Sequence, residues 1–354
     1  MKTSVNQRQI NNSRLYSIDA FRLVAAFFVV VIHFSFLGEV GNAVWINSYF
    51  AVPWFFIVAG LFLDLESDQA LDKIKKRIKH IGIIFIVTAI VYFLINCIYF
   101  GVIEGKGLHW LVDSLTVKNI IKFLALNVWP FEIGGAIWFL QAMLYTYILF
   151  FILLKLKINF LKYELLIIVI FLLLNAVVGE FSTIFKIHVI MANFFTRGIP
   201  YILLGHYINR KSESLKTVSN VVCILLMILS VILTTTEYYG LKSLGVLFYT
   251  GHYQGNTLMA IALVILLLNN PNWFRERKAV EWGMKYSLMI YLVHQPLGQI
   301  IKPQLEKSIV LRQIAPIMIF IFSFIISIVL VNVFRIIKEK TNSRKVMKEH
   351  IRNN

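Results

Sequence analysis

A chain of 354 residues that is 58% hydrophobic and only 15% charged, with a mean hydropathy of +0.74, does not belong to the soluble globular class, in which about a quarter of residues are charged. Its net charge of +17 would suit nucleic acid, but the basic residues lie in short segments beside apolar runs, so the charge reads as membrane topology and no nucleic-acid partner is expected. Cys97 and Cys223 sit inside apolar runs, and no Cys/His cluster or Gly-rich loop has ligand spacing, so no disulfide, metal site or phosphate loop is expected.

Apolar runs close to the ~20 residues needed to cross a bilayer occur at 18–37, 44–63, 81–103, 137–154, 163–179, 190–208, 218–235, 250–269, 286–301 and 312–334. They predict an all-α fold, a polytopic membrane helix bundle of about ten transmembrane helices. A segment 1–17 precedes the membrane domain 18–335, and a basic tail 336–354 comes after it. The first run is read as a permanent span and not a signal peptide. It is long, holds Asp19, Arg22 and His33, and lacks a small-residue cleavage site before Glu39. The eighth run is interrupted by GHYQGN (251–256), and the ninth is short and carries His294 and Pro296, so both are expected to be broken or tilted.

Lys and Arg number 25 in the segments 1–17, 64–80, 155–162, 209–217, 270–285 and 335–354, against 8 in the intervening ones. This asymmetry places both termini in the cytoplasm of a multi-pass cell-membrane protein, with membrane lipids as its surroundings. The 104–136 segment, with Trp110, Trp129, Glu132 and a Gly-Gly turn, is then the largest outer loop and is expected to form a partial lid.

Polar groups within spans are expensive and are functional candidates. In the first span, Arg22 and His33 are eleven residues apart, so they share one helix face about 16 Å apart, with Asp19 near the same face. In WFLQAMLY (138–145), Trp138 and Gln141 are at i, i+3 near the outer end of the span. In NFFTRGIPYILLGHYINR (193–210), Arg197 is expected at about the depth of His33, while His206 and Arg210 are expected to face lipid headgroups. In YSLMIYLVHQPL (286–297), Ser287, Tyr291 and His294 occupy one face.

These segments, in this order, resemble the acyltransferase-3 family of integral membrane acyltransferases along residues 14–335. Its most distinctive feature is an Arg and a His in the first span with ten residues between them. Arg22, within SIDAFR, and His33 match it. AVPWFFIVAGLFL (51–63) is similar to the family's FF-x-x-S-G segment, with Ala59 where serine is usual, so no hydroxyl role carries over. IWFL (137–140), R-x-x-P-Y-x-x-x-G (197–205) and Y-x-x-x-Y-L-x-H-x-P (286–296) resemble later family segments. Residues 14–63 are also similar to the membrane half of vancomycin-resistance serine/alanine racemases. No soluble racemase half is expected after residue 335, so racemase activity is not implied.

The resemblance implies transfer of an acyl group, commonly acetyl, from cytoplasmic acyl-CoA to a hydroxyl of an envelope glycan or similar acceptor. Acyl-CoA is then a co-substrate, with no permanently bound cofactor. His33 is the candidate base or transient acyl carrier, because imidazole exchanges protons near neutrality. Arg22, with Asp19 beside it, is the candidate for holding CoA phosphate or pantetheine oxygens. Trp138, Gln141, Arg197, Tyr291 and His294 are candidates for the acceptor pocket. A transporter or flippase for a small amino acid or lipid-linked sugar is the alternative that such a bundle also suits. A homo-oligomer is compatible with either.

Overall fold

The computed structural model describes residues 14–185, 193–243 and 253–353, and among them it contains helices and turns but no strand. The chain is a polytopic helical bundle. The described helices are α1 (Tyr16–His33), α2 (Gly38–Ser48), α3 (Ala51–Leu61), α4 (Ala70–Asn96), α5 (His109–Ser114), α6 (Val117–Leu126), α7 (Trp138–Lys155), α8 (Glu164–Phe185), α9 (Ile199–Arg210), α10 (Asn220–Ser243), α11 (Gln254–Asn269), α12 (Lys278–Leu305) and α13 (Ile309–Asn353). A short turn of helix at Ser212–Leu215 joins α9 to the loop before α10. Among the described residues, seven helical stretches are long and apolar enough to cross a membrane.

The boundaries differ from the hydropathy pattern where backbone chemistry intervenes. The expected span 44–63 is two helices meeting at Tyr49–Phe50, and Pro53 falls in the first turn of α3, where a missing N–H leaves no bond unmade. The third run begins earlier than its apolar part: α4 starts at Ala70 and carries Lys73, Lys75, Lys76, Arg77 and Lys79 on its first turns. Burial pushes the Asp64 carboxyl up, but hydrogen bonds from Lys73 and Ser67 bring it down to about 2, and this fixes the turn that leads into α4. The ninth run is neither short nor broken. It is the 28-residue helix α12, continuous through Pro296 and Pro303. Parts of the sixth and eighth runs, at 190–192 and 250–252, lie outside the described residues.

Pro296 shows how a proline is accommodated at membrane depth. Its missing N–H would leave the Leu292 carbonyl unpaired, and the Tyr92 hydroxyl of α4 donates to that carbonyl at 2.5 Å. A neighbouring helix thus supplies the donor that water cannot.

The core forms around α3, which packs against α9, α1 and α11, with Trp54, Phe56, Ile57, Tyr201 and Ile202 fully or almost fully buried. α1 lies along α12, which also packs on α13; α10 pairs with α11, and α4 with α7. Conversely, α4 and α10 present Ile83, Ile86, Ile90, Leu94, Ile224, Leu225, Ile228 and Ile232 outward, the surface that lipid covers. Two crossings require glycine. A Cβ on Gly205 would strike the Ile57 carbonyl and the Gly60 Cα, and one on Gly283 would strike the Asp19 carbonyl of α1. Small residues at such crossings let helix backbones touch. Gly205→Leu is therefore expected to cost at least about 1–3 kcal/mol by overpacking, read as a lower melting temperature of the purified protein in detergent.

Candidate active site

α1 ends at His33, and this places the imidazole at the helix terminus, not within a continuing span to residue 37. The chain then turns at Phe34, whose N–H bonds the Val30 carbonyl. Trp45 of α2 donates its indole N–H to the Ile32 carbonyl at 3.0 Å, satisfying one of the last-turn carbonyls. His33 retains exposed surface although protein packs closely about it.

Across from it lies His294 of α12, fully buried, with the two ring centroids 5.2 Å apart. His294 Nδ1 lies 2.6 Å from the Tyr291 carbonyl and 3.2 Å from the Ile290 carbonyl. Carbonyls only accept, so Nδ1 carries a proton, and in the neutral ring Nε2 is the bare nitrogen. That Nε2 is buried without a hydrogen-bond partner among the described residues. An unpaired buried acceptor costs about 1–3 kcal/mol. It persists beside the other histidine, and such an expense is common at functional sites.

Residues 127–137 are bound to α4 and to α12 beside His294. Asn96 donates to the Ile133 carbonyl at 2.8 Å and accepts from the Ile133 N–H at 3.1 Å. Trp129 donates to the same carbonyl at 2.9 Å. Gln299 accepts from Gly134 N–H at 3.1 Å and donates to the Glu132 carbonyl at 3.0 Å. Gln295 accepts from Ala136 N–H, and the Tyr291 hydroxyl donates to the Ala136 carbonyl at 2.6 Å. The part of the 104–136 segment expected to be a lid is therefore clamped to α12 one turn either side of His294.

The remaining candidates fall into separate groups. Arg197 sits in a one-turn π-helix, Phe194–Gly198, and is buried. Asn193 caps this turn, Asn127 accepts from Phe194 N–H, and Asn175 donates to the Thr196 carbonyl. The Arg197 guanidinium reaches the Tyr201 hydroxyl at 3.3 Å, and that hydroxyl is 2.7 Å from Thr257. Among the described residues, no carboxylate pairs with Arg197. Trp138 is half-buried beside Phe56 and Phe139, and Phe139 in turn touches Tyr291. Gln141 spends its amide protons on the Phe123 carbonyl of α6 and the Tyr145 hydroxyl, so it holds α6 in place.

At the other end of α1, Asp19 is shared by Arg22 at 3.8 Å and Arg14 at 3.3 Å. The Arg14 and Arg275 guanidinium groups also lie over the Tyr16 ring. Two guanidinium groups thus share one carboxylate, and a third lies over the neighbouring Tyr16 ring. His206 and Arg210 do not face headgroups as expected: buried Glu164 takes His206 at 2.6 Å and Arg210 at 2.8 Å, and Arg210 also reaches Glu66 at 3.1 Å. Burial of Glu164 at the start of α8 draws the two basic groups inward, since a buried carboxylate is costly unless paired.

The described residues thus form a helical bundle with a histidine pair at one end of α1 and guanidinium groups at the other. The model of the acyltransferase-3 acyltransferase domain matches residues 15–335, and the chain belongs to that family. A curated amino-acid racemase of Enterococcus faecalis is 35% identical over 117 residues, which cover 31% of this chain and 15% of that protein. The chain thus spans only a small fraction of the curated relative it matches. No solved structure matches the chain significantly.

Proposed function

We propose that the protein transfers an acyl group, acetyl in the first instance, from cytoplasmic acyl-CoA to a hydroxyl of an envelope glycan on the outer side of the cell membrane. The observation that carries this reading is the His33–His294 pair, with the bare Nε2 of His294, at the end of α1 opposite to Arg22.

In this mechanism His33 takes the proton of the acceptor hydroxyl as its oxygen attacks the thioester carbonyl carbon. The C–S bond breaks, the electron pair leaves with sulfur, and His33 returns its proton to the CoA thiolate. His294 is assigned to support His33 through its bare Nε2, the two ring centroids being 5.2 Å apart. The guanidinium groups of Arg22 and Arg14 suit CoA phosphates, because planar forks bind phosphate oxygens bidentately. The rise of α1 from Arg22 to His33, about 16 Å, is comparable with an extended pantetheine arm. Arg197, buried and without a paired carboxylate among the described residues, is assigned to the acceptor side, where it can steady negative charge on a bound oxygen.

Arg22→Ala tests the donor end. Loss of one charge-assisted contact of about 1.5–3 kcal/mol predicts a roughly 10–100-fold rise in KM for acetyl-CoA in a labelled-acetyl assay. An unchanged KM removes Arg22 from the donor site.

A further inference from the structure

A pocket of about 400 Å³ opens at the end of the bundle that carries residues 97–137, lined by Phe100, Lys106, His109, Trp110, Asp113, Ser114 and Glu132. We infer that it binds a sugar ring of the acceptor glycan; the inference rests on the acyltransferase reading above and names where its acceptor is held.

Three observations support a carbohydrate. The apolar wall is aromatic: Phe100 and Trp110 are buried with ring centroids 5.8 Å apart, and Trp110 packs at 5.7 Å on Phe131. Only the edges of this packed cluster reach the pocket, and they offer an apolar strip for the C–H groups of a pyranose. The rest of the wall is polar and of mixed sign. The exposed carboxylates of Asp113 and Glu132 accept from hydroxyls, while His109, Lys106 and Ser114 can donate. Lys106 is anchored by Glu104 at 2.6 Å and lies 4.7 Å above the Phe100 ring, and this fixes one donor at the pocket edge. A purely anionic ligand would meet two carboxylates and a lipid chain would meet charge, whereas a polyhydroxylated ring satisfies both kinds of group. The volume is within the ~300–1,000 Å³ of ligand pockets.

The pocket is also coupled to the histidine pair. Glu132 belongs to the 127–137 segment, and the Glu132 carbonyl accepts from Gln299 on α12, the helix of His294.

The test uses the full chain, purified in detergent, on an array of immobilised pyranose oligosaccharides (hexose, N-acetylhexosamine, uronic acid and polyol-phosphate glycans). Wild-type protein is expected to bind at least one class. Asp113→Asn and Trp110→Ala are each expected to weaken that binding at least tenfold, with folding checked by melting temperature. Lys285→Ala, an exposed change on α12 outside the sites described, should bind the same class as wild type. Absence of binding to every class, or equal binding by the Asp113 and Trp110 variants, overturns the pocket assignment. Sugar binding lost with those variants but without any acetyl transfer to the bound sugar would uphold the pocket and sink the acyltransfer reading, so the two failures are separable.

Discussion

Replacing His33 with alanine is expected to lower kcat for acetyl transfer by about 10²–10⁴-fold, the usual contribution of a positioned general base. The side chain sits at the C-terminus of α1, exposed on one side and against the His294 ring on the other, so alanine removes one ring contact. The backbone around it is held independently, by the Trp45 bond to the Ile32 carbonyl. The melting temperature should therefore change little while transfer collapses. Single-turnover transfer of labelled acetyl groups reads this directly, and a variant retaining wild-type kcat would remove His33 from the chemistry.

The second large effect is expected at His294. His294→Phe keeps a ring in a fully buried site but deletes the bare Nε2, so a lowering of kcat by about 10–100-fold is expected, less than the loss of the base itself. Its signature is in the pH profile. If Nε2 orients and supports His33, the low-pH limb of kcat should move when it is gone, because the proton affinity of the remaining imidazole changes with its neighbour. A packing role alone would leave both kcat and the profile unaltered in the phenylalanine variant. His294→Gln, polar but without the imidazole's proton exchange, is expected to recover only part of the activity.

Much of this is legible in the sequence, because the bilayer makes polarity conspicuous. Arg22, His33, Arg197 and His294 are costly residues within apolar runs, and the eleven-residue spacing alone puts the first two on one helix face. The partnership of His33 with His294 is not legible: the two residues are 261 positions apart in number, and only the α1–α12 packing, with Gly283 against the Asp19 carbonyl, brings them together. Asn96, Gln295 and Gln299 carry the same polar-in-apolar signal, but nothing in their spacing singles them out. Their role as clamps on the 127–137 segment depends on backbone groups of a loop whose path hydropathy does not encode. Gln141 shows the converse. Its sequence setting suits a binding residue, and the structure spends its amide protons on α6. A break at Pro296 is the natural expectation for a proline taken alone, without the Tyr92 hydroxyl that makes it tolerable there.

Acyl transfer from acyl-CoA, as proposed, needs no ion gradient, whereas the transport alternative does. The most direct measurement is release of free CoA thiol from acetyl-CoA by the purified chain in detergent, where no gradient exists, with a hydroxyl-rich oligosaccharide as acceptor. Catalytic thiol release is expected, falling by about two or more orders of magnitude in His33→Ala. Binding without turnover in the wild type, or turnover that is the same in both proteins, would contradict it.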